Sequence, residues 1–186
     1  PDSSPMGDQS AFDFFRQETS HSDVVIRTDA MNNLILVCSL MTPEKIRADM
    51  IPYLQTKISD QDQVLLALAR RLGDITPFIG GPEHAHLLLT IFGALCSVEE
   101  TVVRASATSS ISKILSTFND GQSTTAQGYL TLLKRLCTEE NSEIFYTKVS
   151  ACQMIDEVYR LCSSDRSAIQ ELYQTLCRDE MTIVRR

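Results

Sequence analysis

The sequence predicts an all-α fold, an α–α superhelix of about four and a half stacked helix pairs, and three observations predict it. The first is a recurring grammar. An apolar helix ends, a short acidic turn follows, and a second apolar helix opens, in most copies with a basic residue close behind. Leu95-Cys96-Ser97-Val98-Glu99-Glu100-Thr101-Val102-Val103-Arg104 is its clearest copy. The second observation is the step. With Ile58, Leu95, Leu136 and Leu176 taken as equivalent, the copies lie 37, 41 and 40 residues apart. The third is that each step holds two apolar patterns at helical, not alternating, spacing.

Two helices per step of about forty residues is the spacing of HEAT-type repeats. Each such unit buries its apolar face only against its neighbours, so the core is a continuous ribbon. The expected units are residues 11–41, 42–80, 81–119 and 120–162, with 163–186 an incomplete fifth. Residues 1–10 read as a flexible lead. They are polar and open without methionine, the mark of a trimmed end and not of a signal peptide.

Phe12, Phe14 and Phe15 support a short first helix from Ala11, and Ile26, Ala30, Leu34 and Val37 share one face of a second, from Asp23 to Met41. Thr42-Pro43 reads as a helix start, a capping hydroxyl followed by proline at the first helical position. Ile46, Met50, Leu54 and Ile58 continue that helix, which Pro52 should kink. Val64–Ala69 is six apolar residues in a row. Its leucine and alanine content fits a helix covered on several sides. Gly80-Gly81-Pro82-Glu83 ends the second unit and starts the third. It lacks the remainder of a phosphate-loop signature.

Leu87, Leu88, Ile91, Phe92 and Leu95 then face one way on a third A helix, and Val103, Ala107, Ile111, Ile114 and Phe118 on its B helix. Asn119–Thr125 is a polar link. Leu130, Leu133 and Leu136 precede Phe145, Val149, Cys152, Ile155 and Tyr159 in the fourth pair, across a longer turn. Ile169, Leu172, Tyr173 and Leu176 mark a fifth A helix, and Arg186 falls one turn into the next.

Composition removes several function classes. The chain has 17 Lys and Arg against 24 Asp and Glu, a formal charge of −7. Its basic runs are no longer than Arg70-Arg71 or Lys134-Arg135, so no nucleic-acid face is expected. No stretch approaches the ~18 apolar residues of a membrane helix. Cys96, Cys137 and Cys177 occupy equivalent places in successive units. Packed helices lie roughly 8–10 Å apart, beyond disulfide reach. These cysteines read as small buried residues in a reducing compartment, cytoplasm or nucleus. Only His21, His84 and His86 could serve as bases or ligands. All lie near turns, the last two in an i, i+2 pair that points apart on a helix, so they read as surface histidines, with no catalytic, metal or cofactor site. A cysteine-dependent enzyme would require His84 or His86 to approach a thiol.

The acidic turns carry the functional reading. Asp60, Asp62, Glu99, Glu100, Glu139, Glu140, Asp179 and Glu180 recur at one structural position, so stacking aligns them on one edge. Carboxylates there complement the helix dipole and cap free N–H groups. The same edge is also suited to docking a basic partner surface.

At its motifs the chain closely resembles one family. Val64-Leu65-Leu66-Ala67-Leu68-Ala69, Gly80-Gly81-Pro82-Glu83, Val98–Arg104, Lys134-Arg135-Leu136, Ser150-Ala151-Cys152 and Val184-Arg185-Arg186 stand in the order found in the scaffold (A-type) subunits of protein serine/threonine phosphatase type 2A. The likeness runs over residues 11–186 and is strongest over 50–104. It implies a HEAT-repeat horseshoe without catalytic activity. The turns between helices A and B would bind regulatory B-type subunits on N-terminal repeats, and the catalytic subunit would sit on C-terminal repeats absent here. Carried onto this chain, the partner-binding turns are Asp60-Gln61-Asp62, Glu99-Glu100-Thr101, Glu139-Glu140 with Phe145, and Asp179-Glu180 with Arg185. Ile144 stands where the family has tryptophan before Phe145, and the family's proline before the last valine-arginine pair is missing around Thr182. A HEAT-repeat adaptor for transport or tethering is the alternative.

Overall fold

The computed structural model describes residues 5–118, 124–138 and 145–185. Every regular element among them is helical. The first pair is α1 (Pro5–Glu18) with α2 (Val24–Asn32) and α3 (Leu34–Ser39). The second is α4 (Pro43–Lys45), running through a widened turn at Ile46–Met50 into α5 (Ile51–Gln55), then α6 (Asp62–Leu72). The third is α7 (Leu89–Leu95), entered by a 3₁₀ segment at Pro82–Leu88, with α8 (Thr101–Leu115). The fourth is α9 (Thr124–Cys137) and α10 (Phe145–Leu161). α11 (Arg166–Cys177) and the short α12 (Thr182–Arg185) close the chain.

The helices form two layers. The B helices stack in order, α2 on α6, α6 on α8, α8 on α10 and α10 on α12. The A helices do the same, α5 against α7, α7 against α9 and α9 against α11. The core is the ribbon between the layers. It runs from Phe15, Met31 and Leu34 through Leu54, Leu68, Phe92 and Ile111 to Leu133, Met154 and Ile169, all at 1% exposure or less. α6 is well enclosed, with Val64, Leu65, Ala67, Leu68, Ala69 and Leu72 buried. Its apolar run has neighbours before and after, which is why it is apolar nearly all round. At its C-terminal end Ser110 of α8 donates to the Ala69 carbonyl at 2.6 Å.

Local signals account for most boundaries. Thr42 caps α4 by accepting from the Lys45 N–H, with Pro43 at the first helical position. Gly80 and Gly81 take φ of +102° and +107°, and Pro82 opens the next segment.

Other boundaries differ from the sequence pattern. The first helix begins at Pro5, within the stretch expected to be a flexible lead, and Phe14 on it is 62% exposed. The second helix is not continuous to Met41. It breaks at Asn33, a residue whose side chain competes for backbone bonds, and restarts as α3. Ahead of Pro52 the helix widens, and the Ile51 N–H bonds the Ile46 carbonyl, five residues back. Proline lacks an N–H and crowds the carbonyl four residues before it, and the extra residue in the turn relieves that conflict. The helix then ends at Gln55, short of Ile58.

Cys177 departs from its equivalents. Cys96 and Cys137 are buried, whereas Cys177 is exposed, because α11 is covered by α9 and α10 on one side and only by the short α12 beyond. All six cysteines are free thiols.

Candidate functional site

Three of the turns between A and B helices, the first, third and fifth, share one device. The fourth residue of the B helix sends its side chain back over the turn that precedes it. Arg27 donates from Nη1 to the His21 and Ser22 carbonyls at 2.9 and 3.0 Å. Arg104 donates to the Val98 carbonyl at 2.9 Å, to the Glu99 carbonyl, and to Thr101 Oγ1 at 3.2 Å. Arg185 repeats the pattern on the Asp179 and Glu180 carbonyls, at 2.5 and 2.9 Å, and on Thr182 Oγ1 at 3.1 Å. Each guanidinium thus satisfies carbonyls that the turn leaves without helical partners. The second unit has Leu65 at this position, and its turn lacks the clasp.

Two cations of the B helices also reach the next turn. Arg27 Nη2 lies 2.9 Å from Asp60 Oδ1, with Nε donating to both carboxylate oxygens. Lys148 Nζ of α10 lies 2.7 Å from Asp179 Oδ2. Both pairs are largely shielded from water, with side-chain exposures of 13% and 14% for the first and 21% and 9% for the second. Burial pushes each carboxyl's pKa up. For Asp60 the bonds from Arg27 and the Gln61 N–H outweigh that, and for Asp179 those from Lys148 and the Met181 N–H, so both end below the usual carboxylate value. Further links tie the turns together. Lys57 Nζ donates to the Thr19 carbonyl at 3.2 Å, Ser150 Oγ to the Cys96 carbonyl at 2.9 Å, and Arg104 lies 5.1 Å from the Tyr146 ring centroid. Between the first two turns runs an open cleft of about 540 Å³ lined in part by Ser20, His21, Arg27, Lys57 and Asp60.

The predicted site residues therefore divide. Asp60 and Asp179 are half-buried partners of internal cations, not free surface charges. Glu100 caps α8 by accepting from the Val102 N–H at 3.3 Å. Arg185 is exposed yet spent on its own turn. Gln61, Asp62, Glu99, Thr101 and Glu180 are exposed, and Phe145 is half-buried, 5.9 Å from the Tyr146 ring. Glu139 and Glu140, with Ile144 and Arg186, lie outside the described residues. The sequence pattern marked Arg104 only as a basic residue after its turn and Arg185 as a partner contact, and it missed the roles of Lys148 and of Arg27, whose turn is not acidic. A basic residue at the fourth position of every B helix but α6 was the available signal.

Among the described residues, catalytic and metal-binding groups are not brought together. Burial pushes the Cys38, Cys96 and Cys137 thiols up to about 12, away from the thiolate a nucleophile needs. The His84 and His86 rings do not point apart. They sit on a 3₁₀ turn, half-buried, with centroids 6.5 Å apart. Among the described residues no group of three or more His, Cys, Asp or Glu could hold a metal ion, and no helix is long and apolar enough to cross a membrane.

No protein-family model matches the chain. Individual relatives do. It is 35% identical over 170 residues to a probable serine/threonine-protein phosphatase PP2A regulatory subunit of Caenorhabditis elegans. It is also 35% identical over 170 residues to the alpha isoform of the phosphatase 2A 65 kDa regulatory A-type subunit of Arabidopsis thaliana. To the human beta isoform it is 33% identical over 171 residues. Each match covers 91% of this chain, and the chain spans about 28% of the length of these relatives. The HEAT-type stacking seen here is the architecture of those proteins. With that architecture and that likeness along 91% of its length, the chain belongs to the family of 65 kDa A-type regulatory subunits of protein phosphatase 2A.

Proposed function

We propose that the chain is a non-catalytic scaffold that docks B-type regulatory subunits of a type 2A serine/threonine phosphatase. Docking uses the turns between paired helices. The catalytic subunit is held by HEAT repeats other than those described here, and the assembly works in cytoplasm or nucleus. What supports this reading is the kinship with proteins named as regulatory, not catalytic, subunits. The observation that carries it is the tying of neighbouring units at their turns, Arg27 of the first to Asp60 of the second and Lys148 of the fourth to Asp179 of the fifth. A pre-ordered edge binds without the entropy cost of fixing loose loops. Exposed Asp62, Glu99 and Glu180 leave it negative toward solvent.

The test is capture from lysate on the immobilised chain, with bound proteins identified by mass spectrometry. B-type phosphatase subunits should be enriched. Enrichment of transport or tethering factors, with no phosphatase subunit present, would contradict the proposal.

A further inference from the structure

Val25, Val102 and Ile183 are the second residues of α2, α8 and α12, and they stand 60%, 52% and 56% exposed. At the same register α10 carries half-buried Tyr146 and α6 carries exposed Gln63. Single apolar residues on a surface are ordinary. Recurrence at one register in three B helices is not, because neither burial nor local structure favours it. Valine and isoleucine are weaker helix formers than alanine, glutamate or lysine. The first turn of a helix favours acidic residues over apolar ones. Around these positions the surface is polar, with Glu99 and Thr101 before Val102 and Glu180 and Thr182 before Ile183.

The row follows the edge formed by the turns. Neighbouring helices pack roughly 8–10 Å apart, so Val25 and Val102, two units apart, are separated by about 20 Å along it.

We infer that this row is the apolar contact line of the docking edge proposed above, on which the inference rests. Its occupant is a partner protein surface bearing apolar sockets at two-repeat intervals, about 20 Å apart, flanked by lysine or arginine. Charge selects that occupant. Exposed Asp62, Glu99 and Glu180 flank the row, and the chain carries a formal −7, so a second copy would bring like charges edge to edge. The apolar residues supply the desolvated contacts that hold a complex, and the carboxylates steer its approach. Asp60, Asp179 and Arg185 hold the edge in shape and contact the partner little, since their charges are used internally.

The test measures binding of purified B-type regulatory subunits, one from each class, to the chain and to a triple variant with Val25→Ser, Val102→Ser and Ile183→Ser. All three positions are exposed, so melting by circular dichroism should not change, and the single variant Val102→Ser serves if the triple fails to fold. The triple should raise Kd at least tenfold, and Val102→Ser alone about threefold, both with the salt dependence of association kept. Glu99→Gln with Glu180→Gln should lower that salt dependence instead. Wild-type binding with a triple-variant Kd within twofold would overturn the apolar row while sparing the docking edge. Absence of binding to every class by the wild type would overturn the docking edge itself, and the row with it. A wild-type dimer that the triple variant abolishes would overturn the choice of partner, since the occupant would then be a second copy.

Discussion

Arg27 holds two turns at once. One edge of its guanidinium closes on the His21 and Ser22 carbonyls of its own turn, and the other meets the carboxylate of Asp60, 33 residues away in the next unit. Asp60→Ala should therefore destabilise the fold by about 1–3 kcal/mol, because it leaves a shielded guanidinium without its anion. Asp62→Ala, two residues on and exposed, should change stability by no more than ~0.5 kcal/mol. Urea unfolding of the two variants measures the difference, and equal midpoints would show that the pair holds nothing.

The same pairs set the acid response. Asp60 and Asp179 have folded pKa values below their unfolded ones, so their contribution is complete above the unfolded carboxylate pKa, about 3.9. It is lost as pH falls below that value toward the lower folded pKa. Melting temperature should fall steeply below about pH 4. The slope should be smaller in a variant with Asp60→Asn and Asp179→Asn, which has fewer native carboxylates to protonate. Parallel pH curves for the two proteins would contradict this.

Gly81 sits at φ +107° and ψ −179°, a region that side chains other than glycine's essentially do not enter. Its ideal Cβ would also fall 2.9 Å from Glu83 Oε2. Gly81→Ala should cost on the order of 1–3 kcal/mol and loosen the junction between the second and third units. Thermal melting reads the first effect. Amide exchange in residues 75–88 reads the second, and unchanged exchange there would argue against it.

Much of this fold was legible in the sequence because its signals are local. The Thr42-Pro43 cap and the Gly80-Gly81-Pro82 junction each act within a few residues of themselves, and the forty-residue step repeats such local units along the chain. Less legible were effects that depend on competition or on distance. Pro52 announced a kink, yet proline can be absorbed in more than one way, and the sequence did not show that an extra residue in the turn at Ile46–Met50 would do it. The break at Asn33 depends on a weak preference that tertiary contacts could have overridden. At the candidate site, spacing aligned the acidic residues without revealing which of them a cation from the preceding unit already holds. Asp60 and Asp62 look alike in sequence. Only the stacking of α2 on α6 brings Arg27 to the first and leaves the second in water.

Hydrogen–deuterium exchange of the chain, with and without a purified B-type regulatory subunit, tests the docking edge most directly. Protection should concentrate in peptides that hold the turns at residues 19–25, 57–63, 97–104 and 178–185. The outer face of the A layer, at Thr90 and Thr131, should exchange as in the free chain. Protection confined to α7 and α9, with the turns unchanged, would contradict the assignment of this edge as the docking surface.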